Sequence, residues 1–121
     1  MKTNRAISVV SLLMTALGST SVFAGAPAST PELIEKGKTS YATNCLICHG
    51  DKHDGNGPAG AALNPKPRNL VSDKFKKGDK APQIFKTISE GLAGTTMTGY
   101  GHLPEDERWG LTHFIVSLRK K

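Results

Sequence analysis

The sequence predicts an all-α fold from three observations. Apolar residues recur at helical spacing in three separate segments. No run alternates apolar and polar residues as a strand would. The stretches between the helical segments are rich in glycine and proline and have no period. A chain of 121 residues allows one domain. With 37% hydrophobic and 21% charged residues, it is not collagen-like, a coiled coil or disordered throughout. The charge of +6 is basic without being extreme. Two cysteines, Cys45 and Cys48, cannot build a multi-disulfide scaffold.

Residues 1–24 read as a secretory signal peptide. Lys2 and Arg5 form a basic start, Ala6 to Leu17 is uncharged and mostly apolar, and Val22-Phe23-Ala24 fits a small-x-small cleavage site. An uncleaved anchor is the alternative, because Ala6 to Ala24 is 19 residues without charge. Gly18 to Ser21 weakens it, since a span needs roughly 20 predominantly apolar residues. The expected mature protein is therefore exported, with no stable membrane insertion after cleavage, and carries a charge of +4.

Residues 25–30 (Gly-Ala-Pro-Ala-Ser-Thr) predict a flexible leader. The domain proper is expected over residues 31–121. Thr30 is a plausible N-cap, with Pro31 at the first helical position and Glu32 in the first turn. Leu33, Gly37, Tyr41 and Cys45 then share one helix face. A mid-helix glycine costs about 1 kcal/mol relative to alanine, so Gly37 implies a second backbone packed close. From Gly50 to Lys80 the period disappears, in a stretch holding five of the 13 glycines together with Pro58, Pro65 and Pro67. So long a connection in a small domain suggests that it wraps something.

Pro82 to Glu90 predicts a short amphipathic helix, with Ile84, Phe85 and Ile88 inward and Gly91 as its stop. A second glycine-rich loop, Gly91 to Leu103, surrounds Met97. The final helix starts at Pro104 with Glu105, Asp106 and Glu107 in its first turn and ends at Arg119, Lys120 and Lys121, complementing the helix dipole. Leu111, Phe114, Ile115 and Leu118 form its apolar stripe.

The chemistry is concentrated in Cys45-Leu46-Ile47-Cys48-His49, the C-x-x-C-H signature of c-type haem attachment. Two thiols at this spacing reach the two vinyl groups of one porphyrin, and the adjacent imidazole falls beneath the ring as iron ligand. A thiol–disulfide oxidoreductase normally carries C-x-x-C at a helix N-terminus after a strand, whereas here the motif ends a predicted helix. A structural zinc needs four ligands, and no second cysteine pair exists. A short-loop disulfide is the plain alternative.

At these residues the chain resembles a class I c-type cytochrome. Ile34 to Cys48 is similar to that family's first helix, and His49-Gly50 with Gly55-Asn56-Gly57-Pro58 to its proximal loop. Gly94-Thr95-Thr96-Met97 is similar to its sixth-ligand loop, and Trp109 to Ile115 to its final helix. The pattern is similar to small bacterial mono-haem domains, including those fused to haem–copper oxidases. One departure is Thr98, where the family often has proline.

The resemblance implies a cytochrome c fold of three main helices, with long loops wrapped around one covalent haem c. It implies His49 and Met97 as iron ligands, and Gly37 and Tyr41 packed on Leu111 and Phe114. It also implies that the Pro58 carbonyl accepts from the His49 ring, and that Arg68 and Trp109 hydrogen-bond the haem propionates. For Arg68 the plain alternative is an exposed arginine, and for Trp109 a packed core ring.

Methionine is usually a core residue, but Met97 lies in a glycine-rich loop, and a thioether opposite histidine suits electron transfer. Among the other histidines, His102 is the rival ligand. His53 lies too near His49 to reach the opposite haem face, and His113 is expected to be partly exposed. Lys74, Lys76, Lys77 and Lys80 surround Phe75, either as a solvated loop or as a patch steering an acidic-surfaced redox partner. Nucleic acid is not an expected partner. The sequence thus predicts a monomeric, periplasmic or otherwise exported one-electron carrier that is not an enzyme. The alternatives are a haem subunit of a dehydrogenase or oxidase complex, and an open-site haem sensor or peroxidase.

Overall fold

The computed structural model describes residues 25–119. The signal-peptide reading of residues 1–24 and the charges of Lys120 and Lys121 lie outside them. In order, the elements are α1 (Pro31–Asn44), α2 (Leu46–His49), a 3₁₀ turn (Gly60–Ala62), α3 (Ala81–Glu90) and α4 (Glu105–Leu118). Among the described residues there is no strand. The three main helices are α1, α3 and α4.

The α1 start is as its sequence requires. The Thr30 hydroxyl accepts from the Leu33 amide at 3.2 Å, and Pro31 opens the first turn. The end of α1 differs from the expected run through Cys48. The Cys48 amide donates to Cys45 at 3.1 Å, one residue short of the helical partner. That tighter bond breaks the helix at Cys45 and sets the turn α2 apart.

The α1–α4 crossing explains Gly37 and adds a residue that the sequence reading passed over. A Cβ on Gly37 would overlap the Gly110 carbonyl, and one on Gly110 would lie 2.8 Å from the Leu33 carbonyl. The two backbones touch where both lack side chains. Beside this point Tyr41 packs against Phe114, ring centroids 5.4 Å apart. Tyr41, Leu70, Ile84, Ile88, Leu111, Phe114 and Ile115 form the core. Phe85, expected inward, is half-buried outside this core and stacks on Trp109 at 4.1 Å.

Two expectations about the ends of the chain are corrected. His113 is buried rather than partly exposed, because its Nε2 donates to the Pro27 carbonyl at 3.0 Å. The same bond fixes the leader to α4 at Pro27. Arg119 does more than complement the α4 dipole. Its guanidinium donates to the Leu70 carbonyl at 2.9 Å and lies 4.3 Å from the Phe75 ring centre, holding the lysine-bearing loop against the domain.

The long connection from Gly50 to Lys80 is a wrap of turns. His53 adopts a left-handed backbone, φ 59°, uncommon for a residue other than glycine. Its ring packs on Tyr41 at 4.9 Å, and its carbonyl accepts from the Leu70 amide at 2.8 Å.

Candidate functional site

The short helix α2 carries Cys48 and His49, and Cys45 sits at the kink before it. Cys45 and Cys48 are three residues apart, so both thiols leave one face of the turn. The sulfurs are not joined to each other. Burial, reinforced by the neighbouring Cys48, pushes the Cys45 thiol up to about 12. A disulfide oxidoreductase needs the opposite shift, toward thiolate. Among the described residues no group of three or more His, Cys, Asp or Glu is placed to hold a metal, so the zinc alternative has no ligand set.

The His49 ring is half-buried, and its Nδ1 donates to the Arg68 carbonyl at 3.1 Å. That bond selects the tautomer with a free Nε2 lone pair. Burial lowers the pKa of the ring, with the Arg68 bond opposing and His53 adding to the effect, a direction that favours the neutral form able to ligate. Arg68 thus corrects the expectation for Pro58. The amides on either side of Pro58 donate to α2, Gly57 to Cys48 at 3.0 Å and Ala59 to Ile47 at 2.9 Å. Pinned from both sides, Pro58 is exposed and its carbonyl is not the His49 partner.

Two adjoining cavities meet at this wall. The larger, about 570 Å³, is lined by Cys45, Cys48, His49, Arg68, Met97 and Tyr100 among others. The smaller, about 70 Å³, is almost wholly apolar and runs inward past Leu70, Ile84, Ile88, Leu111 and Ile115. Cys45, His49, Arg68, Lys76, Met97 and Tyr100 border both. Cofactor sites span about 300–1,000 Å³. The slot has an apolar floor, two thiols, an imidazole and a thioether in its wall, and Asp54, Lys66, Arg68 and Asp73 also line it. These residues fit a haem.

Met97 reaches the slot on a braced loop. Its carbonyl accepts from Leu92 at 3.1 Å, and its amide donates to the Thr95 hydroxyl at 3.2 Å. The positive φ of Gly91, 76°, lets the chain leave α3 sharply, and a Cβ there would lie 2.6 Å from the Met97 carbonyl. These bonds shape the loop although Thr98 is not proline. The rival His102 is exposed and borders neither cavity, and His53 borders neither.

Trp109 also departs from expectation. It borders neither cavity; its ring stacks on Phe85, and its Nε1 donates to Glu105 at 3.4 Å. The aromatic ring packs between α3 and α4, so the propionate role fails for Trp109. Arg68 remains at the slot. Tyr100 and Lys76 were not assigned to the site from sequence. Tyr100 had a signal, its place three residues after Met97. The Arg68 carbonyl had none, because every residue type has one.

The cytochrome c family model matches residues 34–119. This chain belongs to the cytochrome c family. It is a haem-bearing electron-transfer domain, and haem c is covalently bound in this family, with Cys45 and Cys48 at the attachment spacing. The cbb3-type cytochrome c oxidase subunit CcoP of Azospirillum brasilense is 37% identical over 60 residues, covering 50% of this chain and 20% of that protein. The cbb3-type subunit FixP of Bradyrhizobium diazoefficiens is 30% identical over 83 residues, covering 69% of this chain and 27% of that protein. A chain of the reducing HAO-like protein complex of Kuenenia stuttgartiensis aligns with TM-score 0.72 and 32% identity, over 78% of this chain and 47% of that one. The matched stretches therefore span only 20% and 27% of the two curated relatives. These relatives are, by name, parts of multi-protein redox assemblies. Among the described residues no helix is long and apolar enough to cross a membrane.

Proposed function

We propose that this cytochrome c is an exported, mono-haem carrier that passes one electron at a time between larger redox proteins and catalyses no reaction itself. The observation that carries this reading is the meeting of four donors on one slot: Cys45, Cys48, His49 and Met97 all border the larger cavity. Cys45 and Cys48 hold the porphyrin by thioether bonds. His49, its Nδ1 engaged by Arg68, offers Nε2 to the iron, and Met97 offers its sulfur. When bound, haem supplies one-electron exchange at its iron, and the apolar floor excludes water from it. Arg68 supports the propionates with its guanidinium. Export rests on the signal-peptide pattern of residues 1–24, and the mature protein is a monomer that binds no nucleic acid and does not stay in the membrane.

The lysine run supports a partner of acidic surface. Lys76 and Lys77 border the haem slot, while Lys74 and Lys80 are exposed on the same run of chain. A positive surface at the slot raises the encounter rate with an acidic protein more than it tightens the complex. The second reading, a haem subunit of an oxidase or dehydrogenase complex, is favoured by the names of the relatives. Co-purification with a large partner separates the two.

Ligation is tested optically. Thioether ligation gives oxidised protein a weak near-infrared charge-transfer band and a higher potential than a second imidazole. Met97→Ala should abolish the band, and His102→Ala should leave it unchanged. The reverse pattern would recast the protein as a bis-histidine carrier.

A further inference from the structure

The Asn44 carbonyl sits where α1 breaks. In a continuous helix the Cys48 amide would reach it, but that amide donates to Cys45 instead. The Asn44 carbonyl accepts from the Tyr100 hydroxyl at 2.9 Å, across 56 residues of chain. Tyr100 is itself fixed at its backbone. Its amide donates to Ile88 at 2.8 Å, and its carbonyl accepts from Leu103 at 3.0 Å.

Apart from Arg108 of α4, whose Nε donates to the Leu103 carbonyl at 3.1 Å, the other hydrogen bonds of the Met97 loop are internal or lead back to α3. Leu92 donates to the Met97 carbonyl, Thr95 to the Leu92 carbonyl, and Gly91 to Thr87. Among the described residues, the Tyr100 hydroxyl makes the one hydrogen bond between this loop and the thiol-bearing segment around Cys45. The loop carries Thr98 rather than a φ-locked proline, so nothing in its covalent structure replaces that tie.

We infer that Tyr100 is a positioning residue, whose hydroxyl couples the Met97 loop to the kink at Cys45 and holds the thioether in the haem slot. The inference rests on the reading of Met97 as sixth ligand and adds to it the device that keeps that ligand in place. One neutral hydrogen bond is worth about 1 kcal/mol net, a factor of about five in the population of molecules with the loop displaced. Any exogenous ligand of the iron must wait for that displaced state.

The test uses haem-loaded protein with Tyr100→Phe, compared with Ser40→Ala. Ser40 lies outside the slot; its hydroxyl donates to Glu107 at 2.6 Å, tying α1 to α4, and accepts from the Asn44 side-chain amide, which in Ser40→Ala keeps its bond to the Ser40 carbonyl. Carbon monoxide should bind ferrous Tyr100→Phe about fivefold faster than wild type, while Ser40→Ala binds at the wild-type rate. Thermal unfolding is followed in both to show that each loses stability. Tyr100→Phe at the wild-type rate would overturn the inference. Equal acceleration in both variants would overturn it too, since it would signify general loosening. Failure of the ligation reading looks different: Met97→Ala would keep the near-infrared band.

Discussion

An imidazole with one nitrogen bonded to a backbone carbonyl has only the other to offer, and His49 is fixed in that state by Arg68 at 3.1 Å. The type of residue at position 49 was legible in the C-x-x-C-H motif. Its partner was not, because a carbonyl acceptor carries no side-chain signature, and the resemblance pointed to Pro58 instead. The same limit applied to Trp109, whose ring stacks on Phe85 with an indole that faces Glu105 and not the slot. Asp54, at the slot's edge, gives a pH test at this scale. Hydrogen bonds from the Asn56 side chain and backbone amide hold its carboxyl below the ordinary range. A carboxyl lowered in the folded state contributes stability above its unfolded value and loses it as pH falls through the folded value. Asp54→Asn should therefore be less stable than wild type at neutral pH, and the gap should close in acid below the ordinary carboxylate range. Denaturant unfolding at a series of pH values measures it, and a gap that widens in acid would refute the assignment.

At the scale of elements, the helices were legible because each has its own boundary chemistry. Thr30 caps α1 as the sequence indicated, and Gly91 ends α3 with φ 76. What the pattern did not show was the break of α1 at Cys45, since a helix that tightens by one hydrogen bond keeps the same apolar period. A glycine at position 37 implies a close approach, and the approach is to Gly110, whose own role shows only with the two backbones together. Gly37→Ala and Gly110→Ala each force a methyl against the facing backbone. Overpacking costs about 1–3 kcal/mol where side chains can yield, and backbone yields less readily. Each variant should lose at least about 2 kcal/mol in denaturant unfolding. A wild-type midpoint would mean that the helices do not cross at these residues.

For the whole molecule, the organising fact is a small core completed by a cofactor slot. The long Gly50–Lys80 connection announced, by its length and lack of period, that it wraps something. The Arg119 contacts to Leu70 and Phe75 show how its far end is held, a long-range pairing with no local sequence signal. Because that loop is fixed, the lysines on it stand at a defined edge of the slot. Lys74, Lys76 and Lys77 exchanged together for glutamine should slow electron transfer with an acidic partner by about tenfold at low salt. The effect should fade as the Debye length shrinks toward about 8 Å, whereas equal slowing at every ionic strength would show that the run does not steer. The proposed closed iron between His49 and Met97 is tested by mixing carbon monoxide with the reduced, haem-loaded wild type. Binding should be slow, limited by displacement of the Met97 loop and far behind Met97→Ala. Binding by wild type as fast as by Met97→Ala would contradict it, since the sixth position would then be open and the protein a ligand-binding haem domain.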